Sequence, residues 1–106
     1  CVISHGGGAL PFLLGRLKRN HRIHPDDCAD PVAEFRRLYF DSVLFEPEAL
    51  NFLCECCGHD KVVLGSDYPF PIGDMAPLQV IERANFDDIH REMILGKTAM
   101  DLFGIS

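Results

Sequence analysis

Four stretches hold residue types that could do chemistry. "KVVLGSDYPFP", residues 61–71, carries an apolar run, a glycine, and then the carboxylate of Asp67, followed by a stiff exit with two prolines. A carboxylate placed at the end of a buried strand must be paired, hydrogen-bonded or bound to a cation. Asp67 is thus a metal ligand, a general base or a cap on the following loop. "SHGGGA" places His5 ahead of three glycines. An imidazole there can shuttle a proton near neutral pH, bind a metal, or simply be a hydrogen-bonded core group. The glycines let the backbone approach a ligand closely and turn abruptly. An oxyanion hole of the lipase type also uses H-G-G-G, but it needs a downstream G-x-S-x-G elbow that this chain lacks. No G-K-[ST] follows, so the glycines are a weak phosphate-loop signal.

"CECCGHD", residues 54–60, offers Cys54, Cys57 and His59, with Cys28 or His24 as conceivable additions for zinc. Structural zinc sites bring paired knuckles, whereas this single run lies on a helix whose apolar stripe already accounts for Cys54 and Cys57. Core packing is the simpler expectation. Arg16, near Lys18, Arg19 and Arg22, is either a solvated side chain or a fork that grips a carboxylate through two parallel bonds.

These groups are positioned by an alternation of elements. Apolar, β-branched runs at 1–4, 38–44 and 62–64 predict strands. Helical patterns follow each one. The first covers 9–19, and the second starts at Pro47 and closes at Gly58. A short segment at 77–83 comes next, then a helix at 86–95 with Asn85 as N-cap and Gly96 as stop. A last helix at 97–103 ends at Gly104, and residues 20–37 form a polar loop.

Strand–helix repetition predicts an α/β fold with parallel strands and helical crossovers. Three such strands bury both faces poorly alone. The parts fit the C-terminal three βα units of a (β/α)₈ TIM-like barrel, a partial barrel in which residues 1–106 are one portion. His5 then ends the first strand, Asp41 lies in the second, and Asp67 ends the third, at the face where barrels place their active sites. The start at "CVIS", without Met, reads as a piece of something longer.

Bulk properties narrow the partners. The chain has 106 residues, 47% hydrophobic and 25% charged, as in a globular protein. A net charge of −6 disfavours nucleic acid and anionic membrane surfaces. The charge is uneven, about +2 over residues 1–37 and −8 over 38–106. The basic excess in "GRLKRNHR" suits an anionic ligand, an acidic neighbour or a solvated helix end. No apolar run is long enough for a membrane span. Five cysteines, an odd count with three crowded together, fit a reducing cytoplasm better than a secreted disulfide framework.

"SHGGGALPFLLGR" and "KVVLGSDYPFP", together with "FDSVLFEPEALNFL" and the closing "ILGKTAMDLFGI", resemble the C-terminal part of metal-dependent decarboxylases of the amidohydrolase superfamily. The resemblance runs through essentially the whole chain. It implies a distorted (β/α)₈ barrel, one divalent metal (usually Zn2+), and loss of carbon dioxide from a small unsaturated or aromatic carboxylic acid. By the same resemblance Asp67 is a metal ligand with a catalytic share, and His5 is the catalytic histidine. Arg16 binds the substrate carboxylate from a neighbouring subunit, which implies a homodimer. A second family arginine falls where this chain has His24, with Arg22 nearby.

The family's other ligands, an H-x-H pair on the first strand and a histidine on a middle strand, have no counterpart here. One carboxylate cannot hold a catalytic zinc, so the metal site is expected to be incomplete and the isolated chain inactive. A non-catalytic, self-associating fragment is the competing expectation. A hydrolase or hydratase of the same superfamily is the third, because a fold does not fix a reaction.

Overall fold

The structure, a computed structural model, describes residues 1–106. Three short parallel strands form one sheet in the order β1 (Val2–Ile3), β2 (Tyr39–Asp41), β3 (Val62–Val63). Val2 pairs with Tyr39 and Ile3 with Phe40, while Phe40 pairs with Val62 and Asp41 with Val63. Parallel neighbours need a crossover, and the helices supply it. α1 (Leu10–Ile23) and α2 (Pro31–Phe35) connect β1 to β2, and α3 (Pro47–Cys57) connects β2 to β3. After β3 come α4 (Leu78–Arg83), α5 (Asp88–Glu92) and α6 (Thr98–Phe103).

The predicted α/β alternation is present, with shorter strands than the apolar runs suggested. The run at 38–44 yields only Tyr39–Asp41, because Ser42 turns its hydroxyl to the β3 chain and Leu44 begins a tight turn. Residues 20–37 are not one loop. α1 continues to Ile23 and holds His21 and Arg22, and α2 starts on Pro31 with Asp30 accepting the Val32 N–H at 2.9 Å. Proline at the first helical position and an aspartate cap explain that short helix.

Two helix boundaries also differ. Asn85 is not a cap; it takes a left-handed φ of 57° just after α4, and Asp87 caps α5 by accepting the His90 N–H at 2.9 Å. Gly96 does not stop a helix either. Met93–Lys97 form a π-helical turn in which the Thr98 N–H donates to the Met93 carbonyl, so α5 runs on into α6. Burial of Ile94 and Thr98 outweighs the roughly 1 kcal/mol that a mid-helix glycine costs. The expected ends at Gly58 and Gly104 are where α3 and α6 stop, both with positive φ.

The core lies between the sheet and the helices. Phe40 and Val62 from the strands meet Leu50, Leu53, Cys54 and Cys57 of α3, Val80 and Ile81 of α4, and Ile94. Each large apolar side chain fully buried there contributes about 1.5–3 kcal/mol. This packing holds the C-terminal ends of all three strands level at one rim.

Candidate functional site at the rim of the sheet

His5 follows β1 after Ser4 and is held in a tight turn, with the Gly8 N–H donating to its carbonyl at 2.9 Å. Its own φ is 55°, and Gly6 and Gly7 are also left-handed, at 58° and 84°. A Cβ on Gly6 would lie 2.5 Å from Leu44, and one on Gly7 would lie 2.8 Å from the Phe40 ring. The first two glycines therefore serve the close seating of the turn on Phe40 of β2 and on Leu44 just beyond it. Asp41, at the end of β2, accepts the Gly6 N–H at 3.0 Å and the Val43 N–H at 3.1 Å on a single oxygen, Oδ1.

Asp67 stands beyond β3 after Gly65 and Ser66, with φ 59°. Its carbonyl accepts the Phe70 N–H at 3.0 Å, which begins the "YPFP" loop; the Tyr68–Pro69 peptide is cis. The fold brings His5 and Asp67 together. His5 Nε2 lies 3.5 Å from Asp67 Oδ1, and the side chains are 61% and 20% exposed. That separation is long for a direct hydrogen bond and short for an electrostatic pair. The two groups share a hollow of about 230 Å³ with Val43, Phe45 and Ile72. The walls are mostly apolar, but His5, Phe45 and Ile72 are exposed, so the hollow is open to solvent and water screens the pair.

The other expected site residues lie elsewhere. Arg16 is exposed on α1 and lines a shallow hollow with Arg19, Asn20 and Ile23, away from His5 and Asp67. His24 caps the end of α1 and lies 4.0 Å from Asp27. Cys54 and Cys57 are buried in the core, and burial pushes both thiols up to about 12. His59 does not converge with them on one point and stacks on His90, with ring centroids 3.8 Å apart. Burial, and then the neighbouring His90, lower the His59 pKa from its ordinary value.

Two features of the rim were not anticipated. Ser42, 1% exposed, accepts the Gly65 N–H at 3.2 Å, and Asp41 grips the glycine turn. The available signal was a polar Asp-Ser step breaking an apolar strand run. As to a divalent cation, no three His, Cys, Asp or Glu side chains of this chain converge on one point. Catalytic zinc takes about three protein ligands, so the rim residues present do not by themselves complete such a site.

Comparison with known proteins gives the lineage. The amidohydrolase family profile matches residues 1–105. The chain is 38% identical to 2-amino-3-carboxymuconate-6-semialdehyde decarboxylase of Dictyostelium discoideum, covering 96% of this chain and 30% of the relative. It is 36% identical to the Caenorhabditis elegans enzyme of the same name, covering 96% of this chain and 27% of the relative. It thus spans less than a third of the length of these curated relatives.

Among solved structures, 5-carboxyvanillate decarboxylase from Sphingomonas paucimobilis superposes with a TM-score of 0.83 at 29% identity, over 99% of this chain and 33% of that one. A dihydroxybenzoic acid decarboxylase from a Polaromonas species, solved with bound manganese, gives 0.82 at 22% identity, over 98% and 33%. At that lower identity the likeness is one of fold. On the sequence match across nearly all of its length, this chain belongs to the amidohydrolase family.

Proposed function

We propose that these 106 residues are the C-terminal three βα units of a (β/α)₈ barrel whose complete form is a metal-dependent, non-oxidative carboxy-lyase. The substrate class is a small unsaturated or aromatic carboxylic acid, with 2-amino-3-carboxymuconate 6-semialdehyde as the first candidate. One observation carries this: an imidazole and a carboxylate from strand ends 62 positions apart in sequence meet at 3.5 Å, in a chain similar to decarboxylases throughout.

His5 is the proton carrier in this assignment. Its ring is accessible enough to reach a bound substrate, and an imidazole can both take up and give a proton. Protonating the carbon that loses carbon dioxide needs such a group at hydrogen-bond reach. Asp67 orients the imidazole and contributes one ligand to a divalent cation, taken to be Zn2+, whose other ligands come from outside these residues. When bound, that ion supplies charge stabilisation beside the carboxylate being cleaved. No step can be assigned through it with the ligands present here.

Arg16 binds substrate carboxylate in this proposal. Its exposure, and its place in a hollow that shares no residue with that of His5 and Asp67, favour delivery to the site of a second protomer, hence a homodimer. The five unpaired cysteines suit a cytoplasmic setting, and no helix is long and apolar enough to cross a membrane.

The test compares this chain with the full-length protein that carries it, measuring metal content and carbon dioxide release. The full-length protein should bind about one divalent ion and release carbon dioxide, and His5→Gln should cost ~10²–10⁴-fold in kcat. The 106-residue chain should do neither. Sub-micromolar zinc binding by the short chain, or hydrolysis of lactones or amides in place of carbon dioxide release, overturns the proposal.

A further inference from the structure

We propose that the Asp41-Ser42 step at the end of β2 is a two-armed brace that sets His5 against Asp67; this rests on the carboxy-lyase site proposed above. Neither residue touches the reacting region. The hollow is walled by His5, Val43, Phe45, Asp67 and Ile72, and both bonds of Asp41 Oδ1 go to backbone amides. They are positioning residues.

The first arm reaches β1. The amide that Asp41 holds at 3.0 Å belongs to the peptide joining His5 to Gly6, so the bond fixes the peptide plane on one side of the His5 Cα. His5 needs such a restraint, because a non-glycine residue at φ 55° persists only where its surroundings over-determine it. A carboxylate acceptor makes the bond charge-assisted. The same oxygen takes the Val43 N–H at 3.1 Å, which ties the brace to the wall of the hollow.

The second arm reaches β3. Ser42 Oγ accepts the Gly65 N–H at 3.2 Å, two residues before Asp67, which is itself at φ 59°. A Cβ on Gly65 would lie 3.1 Å from the Asp41 Cβ and 3.0 Å from Val43. Glycine at this position is therefore what lets β3 close on the brace. One dipeptide at the exit of the central strand thus fixes both outer strand exits, and with them the imidazole–carboxylate separation. In a proton transfer, displacement of the donor by about 1 Å can cost on the order of a hundredfold in rate.

The experiment uses the full-length protein and three variants. Asp41→Ala should lower kcat by roughly a hundredfold with KM little changed, speed exchange of the Gly6 amide, and separate His5 from Asp67 in a crystal structure. Asp41→Asn should restore all three readouts to within a few-fold, because one carbonyl oxygen can still take both amides. Ser42→Ala should free the Gly65 amide while leaving Gly6 protected, with a drop in kcat of about tenfold. Should Asp41→Ala fail to fold, the Asn and Ser42 variants still decide the matter.

The brace is overturned if Asp41→Ala leaves His5 against Asp67, or if Ser42→Ala releases both amides equally. A wild-type protein that shows no decarboxylation defeats the site assignment instead, and the exchange and crystallographic readouts then judge the brace alone.

Discussion

Two of the three imidazole–carboxylate pairs in this chain arise in different ways. His90 Nδ1 lies 3.1 Å from Asp87 Oδ1, closer than the 3.5 Å between His5 and Asp67. The closer pair is a consequence of one helical turn: Asp87 caps α5, and residues three apart share a face. The longer one needs β1, β2 and β3 in order, two left-handed residues, and a turn pressed onto Phe40. Distance alone would favour the α5 pair over the one the proposal uses. What sets the rim pair apart is the amount of tertiary structure spent on holding it, together with the hollow it faces.

The contrast can be broken most forcefully at Gly7. Gly7→Val puts a branched side chain at φ 84° and into the Phe40 ring, so a loss of about 3 kcal/mol is expected. Urea unfolding of the full-length protein measures it, and NMR should show the His5 environment changed while the α5 pair is not. A cost below about 1 kcal/mol would mean that the glycine turn is not what seats His5.

Asp87→Ala should lower stability by about 1 kcal/mol through loss of the α5 cap, seen as a lower melting temperature. It should leave the rim, and any carbon dioxide release, as they were. A matching loss of activity would show that the two regions are coupled.

The smallest effect is one of pH. Burial and the neighbouring His90 depress the His59 pKa in the folded chain, so the unfolded chain binds its proton more readily. Stability from this group is therefore complete above the ordinary imidazole value of about 6.5 and declines as pH falls below it. Asp87 and Asp60 oppose that shift, which keeps the slope shallow. His59→Phe should flatten the dependence of melting temperature on pH between about 7 and 5. An unchanged profile would remove His59 from the acid response.

Much of the scaffold was legible because it depends on local rules. Pro47 and Gly58 bracket α3 as helix-end chemistry predicts, and Cys54 and Cys57 pack inward from its apolar stripe. Strand–helix alternation was enough to place His5 and Asp67 at strand ends. Roles for them, and for Arg16, came from resemblance to a family and are carried forward here as proposals. The bonds of Asp41 and Ser42 were not legible, because they exist only when β2 lies between β1 and β3. Asn85 and Gly96 misled for a related reason. Each has a residue type that favours helix ends, but packing of Ile94 and Thr98 decided where the helices run.

The π-helical turn at Met93–Lys97 acts as a spacer. A wider turn accommodates one residue more than an α-helix would, so the stretches on either side keep their phase toward the interior. Removing one residue from that turn would let ordinary α-helical bonding run through it with the flanking stretches still facing as they do, whereas removing one from α5 would rotate everything beyond it by about 100°. Thr98, whose hydroxyl has no bonding partner in its buried position, would stay inside after the first deletion and swing outward, with the closing stretch of the chain, after the second. Single-residue deletions should therefore be tolerated better within Met93–Lys97 than within α5.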